Sequence, residues 1–368
     1  MNFTVSTKPL AEALNLGIIN SNVSTFYQKS VVAEVSANSN TLTINLEAES
    51  IMSEITLRGS GDTDTAEPIF VDSVNFKQLI NTLDNNVTTL EFSESGLIVH
   101  NGKSKFTLEK VLDNADLSLN RPSVVENAEN AITINKDNWK FVKDHQMYAI
   151  SVAYIHPVYT KVYVTENKDV FVGDFDNSIF THSKKNQLNE TCLLSDTIIN
   201  LFNSLPEGAQ MVNTDGSYVV SVETDSFKFR TQFKPKYESD PDIGSYHSEM
   251  ISELMVPDTA NSIILDKSSL NKFLVQSDLL ATSSENLVNM AVESGIFTLE
   301  DDKVDCRVAV KGNTDVKFTC KFKSSMLKSL ISNMDGDVIN ISPVVQDGET
   351  NGIVVWSDNM EAMLAGVD

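Results

Sequence analysis

The sequence is short of cations. Against 51 Asp and Glu it carries 28 Lys and Arg, a formal net charge of −23 at pH 7 over 368 residues. Spread evenly, that charge would repel a phosphate backbone, so a chain-wide basic surface for nucleic acid is excluded. Cysteine is scarce too. Cys192, Cys306 and Cys320 are odd in number and unpatterned, so they read as free, partly buried thiols and not as a disulfide framework. No apolar run reaches bilayer-spanning length, and Met1-Asn-Phe-Thr-Val lacks the basic and apolar regions of a signal peptide. The expected compartment is therefore the cytoplasm, with no membrane partner. His100, His145, His156, His182 and His247 have no metal-ligand spacing. Neither a Gly-x-x-x-x-Gly-Lys loop nor a Gly-x-Ser-x-Gly elbow occurs. Asp62-Thr-Asp64 lacks the glycine and terminal glutamate of a calcium loop, and Arg58-Gly-Ser-Gly-Asp62 reads as a hairpin turn between strands. Nothing in these residues calls for catalysis, a metal or a cofactor.

What the chain has is repetition. Ser73-Val-Asn-Phe-Lys-Gln-Leu-Ile-Asn-Thr-Leu83, Ser195-Asp-Thr-Ile-Ile-Asn-Leu-Phe-Asn-Ser-Leu205 and Ser324-Ser-Met-Leu-Lys-Ser-Leu-Ile-Ser-Asn-Met334 align without a gap. Apolar residues recur at i, i+3, i+4 and i+7: Phe76, Leu79, Ile80, Leu83; Ile198, Leu201, Phe202, Leu205; Leu327, Leu330, Ile331, Met334. That spacing is one face of an amphipathic helix, and each helix is expected to open on its serine as cap. A second series starts at Val5, Ile134 and Leu265, each a short strand running through polar residues into a helix. Matched starts lie 129 and 131 residues apart in this series, and 122 and 129 in the other. A period so long means repeated whole domains, because solenoid repeats are shorter.

The expected fold class is α+β: three copies of one domain, each with two helices packed on antiparallel sheets, at 1–120, 130–240 and 255–368. Strands are predicted at Gln28–Ser36, Thr41–Ala48 and Met52–Arg58, with Asn38-Ser-Asn40 as a hairpin turn. Others are predicted at Lys161–Thr165, Val170–Val172, Asn289–Glu293 and Gly295–Leu299. The polar stretches Asp113–Asn130 and Lys234–Pro257 are linkers long enough to pack across domain boundaries.

The cations are not spread evenly. The six predicted helices hold nine lysines, Lys8, Lys77, Lys136, Lys140, Lys143, Lys267, Lys272, Lys323 and Lys328, against five acids. Three of those acids lie in caps or first turns, where the helix dipole favours them. Lysines on one helix would merely solvate it; a bias summed over the set, with lysine on five of the six helices, points to a common basic surface.

This pattern resembles the bacterial sliding clamp, the β subunit of the replicative DNA polymerase, including clamps encoded by bacteriophages. The resemblance covers the chain and is clearest in Met1-Asn-Phe-Thr-Val, Ile55-Thr-Leu-Arg58, Phe70–Ile80 and Gly96–Leu108. It implies a homodimer closed head to tail into a ring, helices lining the hole and sheets forming the rim. The nine lysines are then the candidate lining for double-stranded DNA, densest at Lys136, Lys140 and Lys143. Phe106 and Leu108 match the family's interface positions on a late strand of the first domain, and Leu279 with Leu280 match those at the end of a third-domain helix. Family clamps bind short peptides of polymerase and clamp loader between the second and third domains. The corresponding candidates are Asp174, Phe175, Ile179, Met363 and Leu364, and the loop Gly173-Asp-Phe-Asp-Asn-Ser-Ile179 departs from the family's Thr-Asp-Gly-His-Arg-Leu. The implied activity is non-catalytic: a processivity factor. The alternatives are a β-rich phage structural protein with no DNA role and an unrecognised hydrolase; an added role with RNA polymerase is compatible with the clamp itself.

Overall fold

In the computed structural model the described residues are 1–17, 32–48, 51–62, 64–111, 119–124, 130–146, 162–164, 170–174, 179–183, 187–188, 191–194, 196–214, 216–234, 256–280, 286–301, 305–346, 348–358 and 360–367. Among them the helices are α1 (Thr7–Gly17), α2 (Ser73–Asn81), α3 (Lys136–Gln146), α4 (Asp196–Ser204), α5 (Lys267–Leu280) and α6 (Ser324–Asn333). Each follows closely on a strand, and the residue two before the helix belongs to that strand or its ladder. For α1, α5 and α6 the join is pinned alike: the first helical N–H donates to the carbonyl of Asn86, Asp337 or Asn286, at 2.9, 3.0 and 2.8 Å.

The predicted helix faces are the buried faces. Ile198, Leu201, Phe202 and Leu205 are buried, as are Leu327, Leu330, Ile331 and Met334; in α2 Phe76 and Ile80 are buried while Leu79 and Leu83 lie at the margin. Capping differs from expectation. Ser73 and Ser324 are the first helical residues and are buried; Asp72 caps α2, its Oδ1 accepting from the Asn75 N–H at 2.7 Å. A serine already inside the first turn no longer stands at the cap position: α6 follows Lys323, which makes no side-chain cap bond, whereas in α2 the free N–H falls to the aspartate before the serine. Asp266 does the same for α5, accepting from the Ser269 N–H at 2.7 Å. Ser195 lies outside the described residues.

The contacts group the chain into two compact units, Met1–Lys136 with Asp196–Tyr237, and Asp137–Ser195 with Glu238–Asp368. The first holds a five-stranded antiparallel sheet, in spatial order Ser60–Gly61, Asn2–Ser6, Val87–Ser93, Gly96–Asn101, Ser104–Glu109. It also holds an eight-stranded sheet, ordered Ile132–Thr133, Gln210–Thr214, Ser217–Glu223, Phe227–Phe233, Ile51–Arg58, Thr41–Ala48, Val32–Ala37, Ile69–Asp72. That sheet is continuous because Phe227–Phe233 pairs with Ile51–Arg58, Phe233 opposite Ile51 and Phe227 opposite Leu57. Helix α1 packs against both of these strands, burying Leu10, Ala13 and Leu14. Beside α4, Phe233 meets Phe202 edge-on at 5.5 Å and stacks on Tyr218 at 5.6 Å.

The second unit repeats the plan. A nine-stranded sheet runs Cys192–Leu194, Val162–Val164, Val170–Asp174, Ile179–Ser183, Met360–Ala365, Glu349–Trp356, Val338–Gln346, Ile263–Asp266, Lys311–Gly312. A four-stranded sheet runs Asp305–Ala309, Ile296–Glu300, Leu287–Glu293, Phe318–Lys323.

Most predicted strands stand with shifts of a residue or so at their ends, and Asn38 makes the expected turn, its Oδ1 accepting from the N–H groups of Asn40 and Thr41 at 2.9 and 2.8 Å. Gln28–Val31, Lys161 and Thr165 lie outside the described residues. Arg58–Asp62 is not a hairpin turn. It carries the chain from the eight-stranded sheet to the five-stranded one, where Ser60 and Gly61 pair with Thr4 and Phe3. A side chain at Gly59 would lie 2.4 Å from the Thr4 carbonyl, which is why the crossing uses glycine. The described middle of the first linker packs: Asn120 bonds Glu47, Arg121 lies 3.2 Å from the buried Glu34 carboxylate, and the Ser123 N–H donates to Gln232, while 113–118 and 125–129 lie outside the described residues. Of the second linker only its last residues, Val256 and Pro257, and Lys234 are described.

Candidate nucleic-acid and partner interfaces

Helix α3 presents the clearest cationic face. Trp139 and Val142 are buried, with the Trp139 indole N–H donating to Gln187 at 3.2 Å. Lys136, Lys140 and Lys143, at i, i+4 and i+7, are exposed. The buried pair fixes the helix rotation, and that rotation turns all three ammonium groups to water.

The other lysines divide by what already engages them. Lys272 is exposed on α5. Lys8 is exposed but lies 3.9 Å from Glu12 one turn on, so α1 is locally neutral. Lys77 is half-buried on α2, and desolvation pushes its ammonium pKa down. The Lys267 ammonium donates to the Met334 carbonyl at the end of α6, tying α5 to α6. Lys323 and Lys328 are half-exposed, and both are engaged by neighbours. The sequence treats nine lysines alike; the structure gives the exposed, unburdened set as the α3 trio and Lys272.

The interface candidates lie at open positions. Ser104–Glu109 is an outer strand of its sheet; Phe106 is 38% exposed and Leu108 half-buried. At the end of α5, Leu279 is 78% and Leu280 52% exposed, an unusual outlay of apolar surface for neighbouring leucines. Asp305–Ala309 is also an outer strand, which sequence reasoning passed over because its alternation resembles that of any hairpin arm.

The peptide-pocket candidates converge in backbone register. Ile179–Ser183 pairs antiparallel with Met360–Ala365, placing Ile179 opposite Leu364. Asp174 pairs with Ile179 on the neighbouring strand. Met363 and Leu364 are buried within the sheet, so in this chain they are packing residues first. Phe175 lies outside the described residues. Among the described residues no group of three His, Cys, Asp or Glu could hold a metal ion, and no helix is long and apolar enough to cross a membrane.

No family model matches the chain, and no curated protein matches it by sequence. Solved structures do. The Helicobacter pylori β clamp bound to a DNA ligase peptide superposes with a TM-score of 0.73 at 13% identity, over 100% of both chains. The β subunit of DNA polymerase III from Thermotoga maritima gives 0.74 at 11% identity, over 100% of this chain and 99% of the other. The DNA polymerase sliding clamp from Bacillus subtilis gives 0.73 at 16% identity, again over 100% and 99%. The chain has the sliding-clamp fold from end to end.

Proposed function

We propose that this chain is a non-catalytic DNA sliding clamp, a processivity factor that encircles duplex DNA. The observation that carries the reading is the likeness to bacterial β clamps over 100% of this chain and 99–100% of theirs. Its three clamp domains, 1–120, 130–240 and 255–368, close head to tail with those of a second copy. Lys136, Lys140, Lys143 and Lys272 supply most of the attraction to phosphate, and Lys8, Lys77, Lys267, Lys323 and Lys328 add to the field. Attraction through exposed ammonium groups is blind to base sequence, and the surplus acid elsewhere discourages DNA from other surfaces. Retention then comes from topology: a closed ring stays on DNA although each lysine contact is weak.

Closure places Phe106 and Leu108 of one copy against Leu279 and Leu280 of the next. The packing of α1 on Ile51–Arg58 and on Phe227–Phe233 supports this, because α5 and Asp305–Ala309 stand in the repeat where α1 and Ile51–Arg58 stand. A short peptide from a polymerase or clamp loader docks beside Asp174, Phe175, Ile179, Met363 and Leu364; the Helicobacter pylori clamp holds a ligase peptide. The divergent Gly173–Ile179 loop implies partner peptides of its own.

Negative-stain microscopy with light-scattering mass on the same sample tests the ring: a dimer with a central hole is expected. Once loaded, the protein should co-elute with nicked circular DNA and be lost when that DNA is linearised. Large regular arrays, or equal retention on both DNA forms, would overturn the reading in favour of a structural protein.

A further inference from the structure

The chain joins its repeats edge to edge twice, and both joins use one register. At the first, Phe229 lies opposite Ile55 and Arg230 opposite Glu54, with the guanidinium 2.7 Å from the carboxylate. At the second, Met360 lies opposite Ser183 and Glu361 opposite His182.

The ladders behind each join show which residues correspond. Val5, Ile134 and Leu265 each stand two residues before a helix. Counting outward from them, the pairs Leu90 with Val99, Met211 with Val220 and Ile341 with Val355 match, and so do Leu97 with Leu108, Tyr218 with Phe233 and Ile353 with Leu364. Ser104, Phe229 and Met360 therefore share one position, and Lys105, Arg230 and Glu361 the next. On the other side of the join, Val71, Leu194 and Phe322 each stand two before a helix. From them Ile44 with Ile55, Val170 with Ser183 and Leu299 with Cys306 match. Ile55, Ser183 and Cys306 share a position, and Glu54, His182 and Asp305 the next.

Among the described residues, two strands of these classes have no partner at their outer edge: Ser104–Glu109 and Asp305–Ala309. We propose that a second copy of this chain supplies the missing partner in the same register, Ser104 opposite Cys306 and Lys105 opposite Asp305. This rests on the dimer proposed above and assigns its seam residue by residue. Lys105 opposite Asp305 then repeats, at the same two positions, the cross-strand pairing of opposite charge that Arg230 makes with Glu54. In the single chain Lys105 lies 4.0 Å from the half-buried Glu91, and Asp305 lies 3.1 Å from Arg307. The register would also set Lys103 opposite Arg307, but Lys103 sits in the turn before Ser104, past the end of the ladder.

A native thiol makes the register testable with one substitution. Facing residues of an antiparallel pair lie within disulfide reach, and Cys306 is half-exposed whereas Cys192 and Cys320 are buried. Ser104→Cys should give, on mild oxidation of the full chain, a covalent dimer on a non-reducing gel; adding Cys306→Ser should abolish it. In parallel, Lys105→Glu or Asp305→Lys should each weaken the dimer about tenfold by light scattering, with the double exchange returning it to within about threefold of wild type. A wild-type dimer that neither cross-links nor responds to the exchange would overturn the register and leave the dimer standing. A wild type that stays monomeric at every concentration would overturn both.

Discussion

Asp62 shows how single side chains hold this fold together where the sheet begins. Its carboxylate accepts from the Asn2 backbone N–H and side-chain amide, both at 2.8 Å, fastening the first strand at the crossing between sheets. The backbone bond from Asn2, then the side-chain bond, hold its pKa below the ordinary carboxylate value. A depressed folded-state pKa contributes stability that is present above the unfolded value, near 3.8, and lost as pH falls through the folded one. Asp62→Asn should therefore lower the urea midpoint at pH 7, and the gap from wild type should close in acid as the wild-type carboxylate takes up its proton. A gap that persists unchanged in acid would show that the carboxylate charge is not what fastens the strand. Gly96 illustrates the opposite constraint, its φ of 139° and a would-be Cβ 2.1 Å from the Leu108 carbonyl leaving no room for a side chain.

Helices of one sequence type do different work at the element scale. On α3 the lysines are free of structural duty, whereas Lys267 on α5 satisfies a carbonyl at the end of α6. Replacing Lys136, Lys140 and Lys143 with alanine should leave stability within about 0.5 kcal/mol. It should also make the salt dependence of DNA binding shallower, by roughly 0.9 in log–log slope for each phosphate the variant no longer neutralises. Lys267→Met should do the reverse, costing about 1 kcal/mol in denaturation with little change in slope. A triple variant with unaltered slope would remove α3 from the DNA-facing surface.

For the whole molecule, the proposed dimer is tested at its exposed apolar end. A monomer that leaves Leu279 and Leu280 in water has apolar surface that a second copy can bury. Changing both leucines to lysine should halve the light-scattering mass while the thermal midpoint of the chain stays within a few degrees, because neither side chain belongs to the core. A dimer of unchanged mass would remove the end of α5 from the interface. Loss of the dimer should also abolish preferential retention on circular DNA, since an open ring has no topological hold.

The amphipathic helices and alternating strands were legible in the sequence because both are local: a period of 3.6 or 2 decides which side chains can share a buried face. Threefold repetition was legible for the same reason. Where each cap falls was not, since Asp72 and Ser73 are both capable and only the packing that buries Ser73 chooses between them. Nor was the path of Arg58–Asp62, whose glycines suit a turn as well as a crossing until Thr4 is beside them. The lysines were visible as a compositional bias, but burial, a carbonyl or a neighbouring acid decides which remain available. Sequence by itself determined the elements, their faces and their repetition, all properties of residues near one another along the chain. Only the tertiary structure decided which strands join and which edges stay open, because a strand's partner is set by packing between residues a hundred or more positions apart.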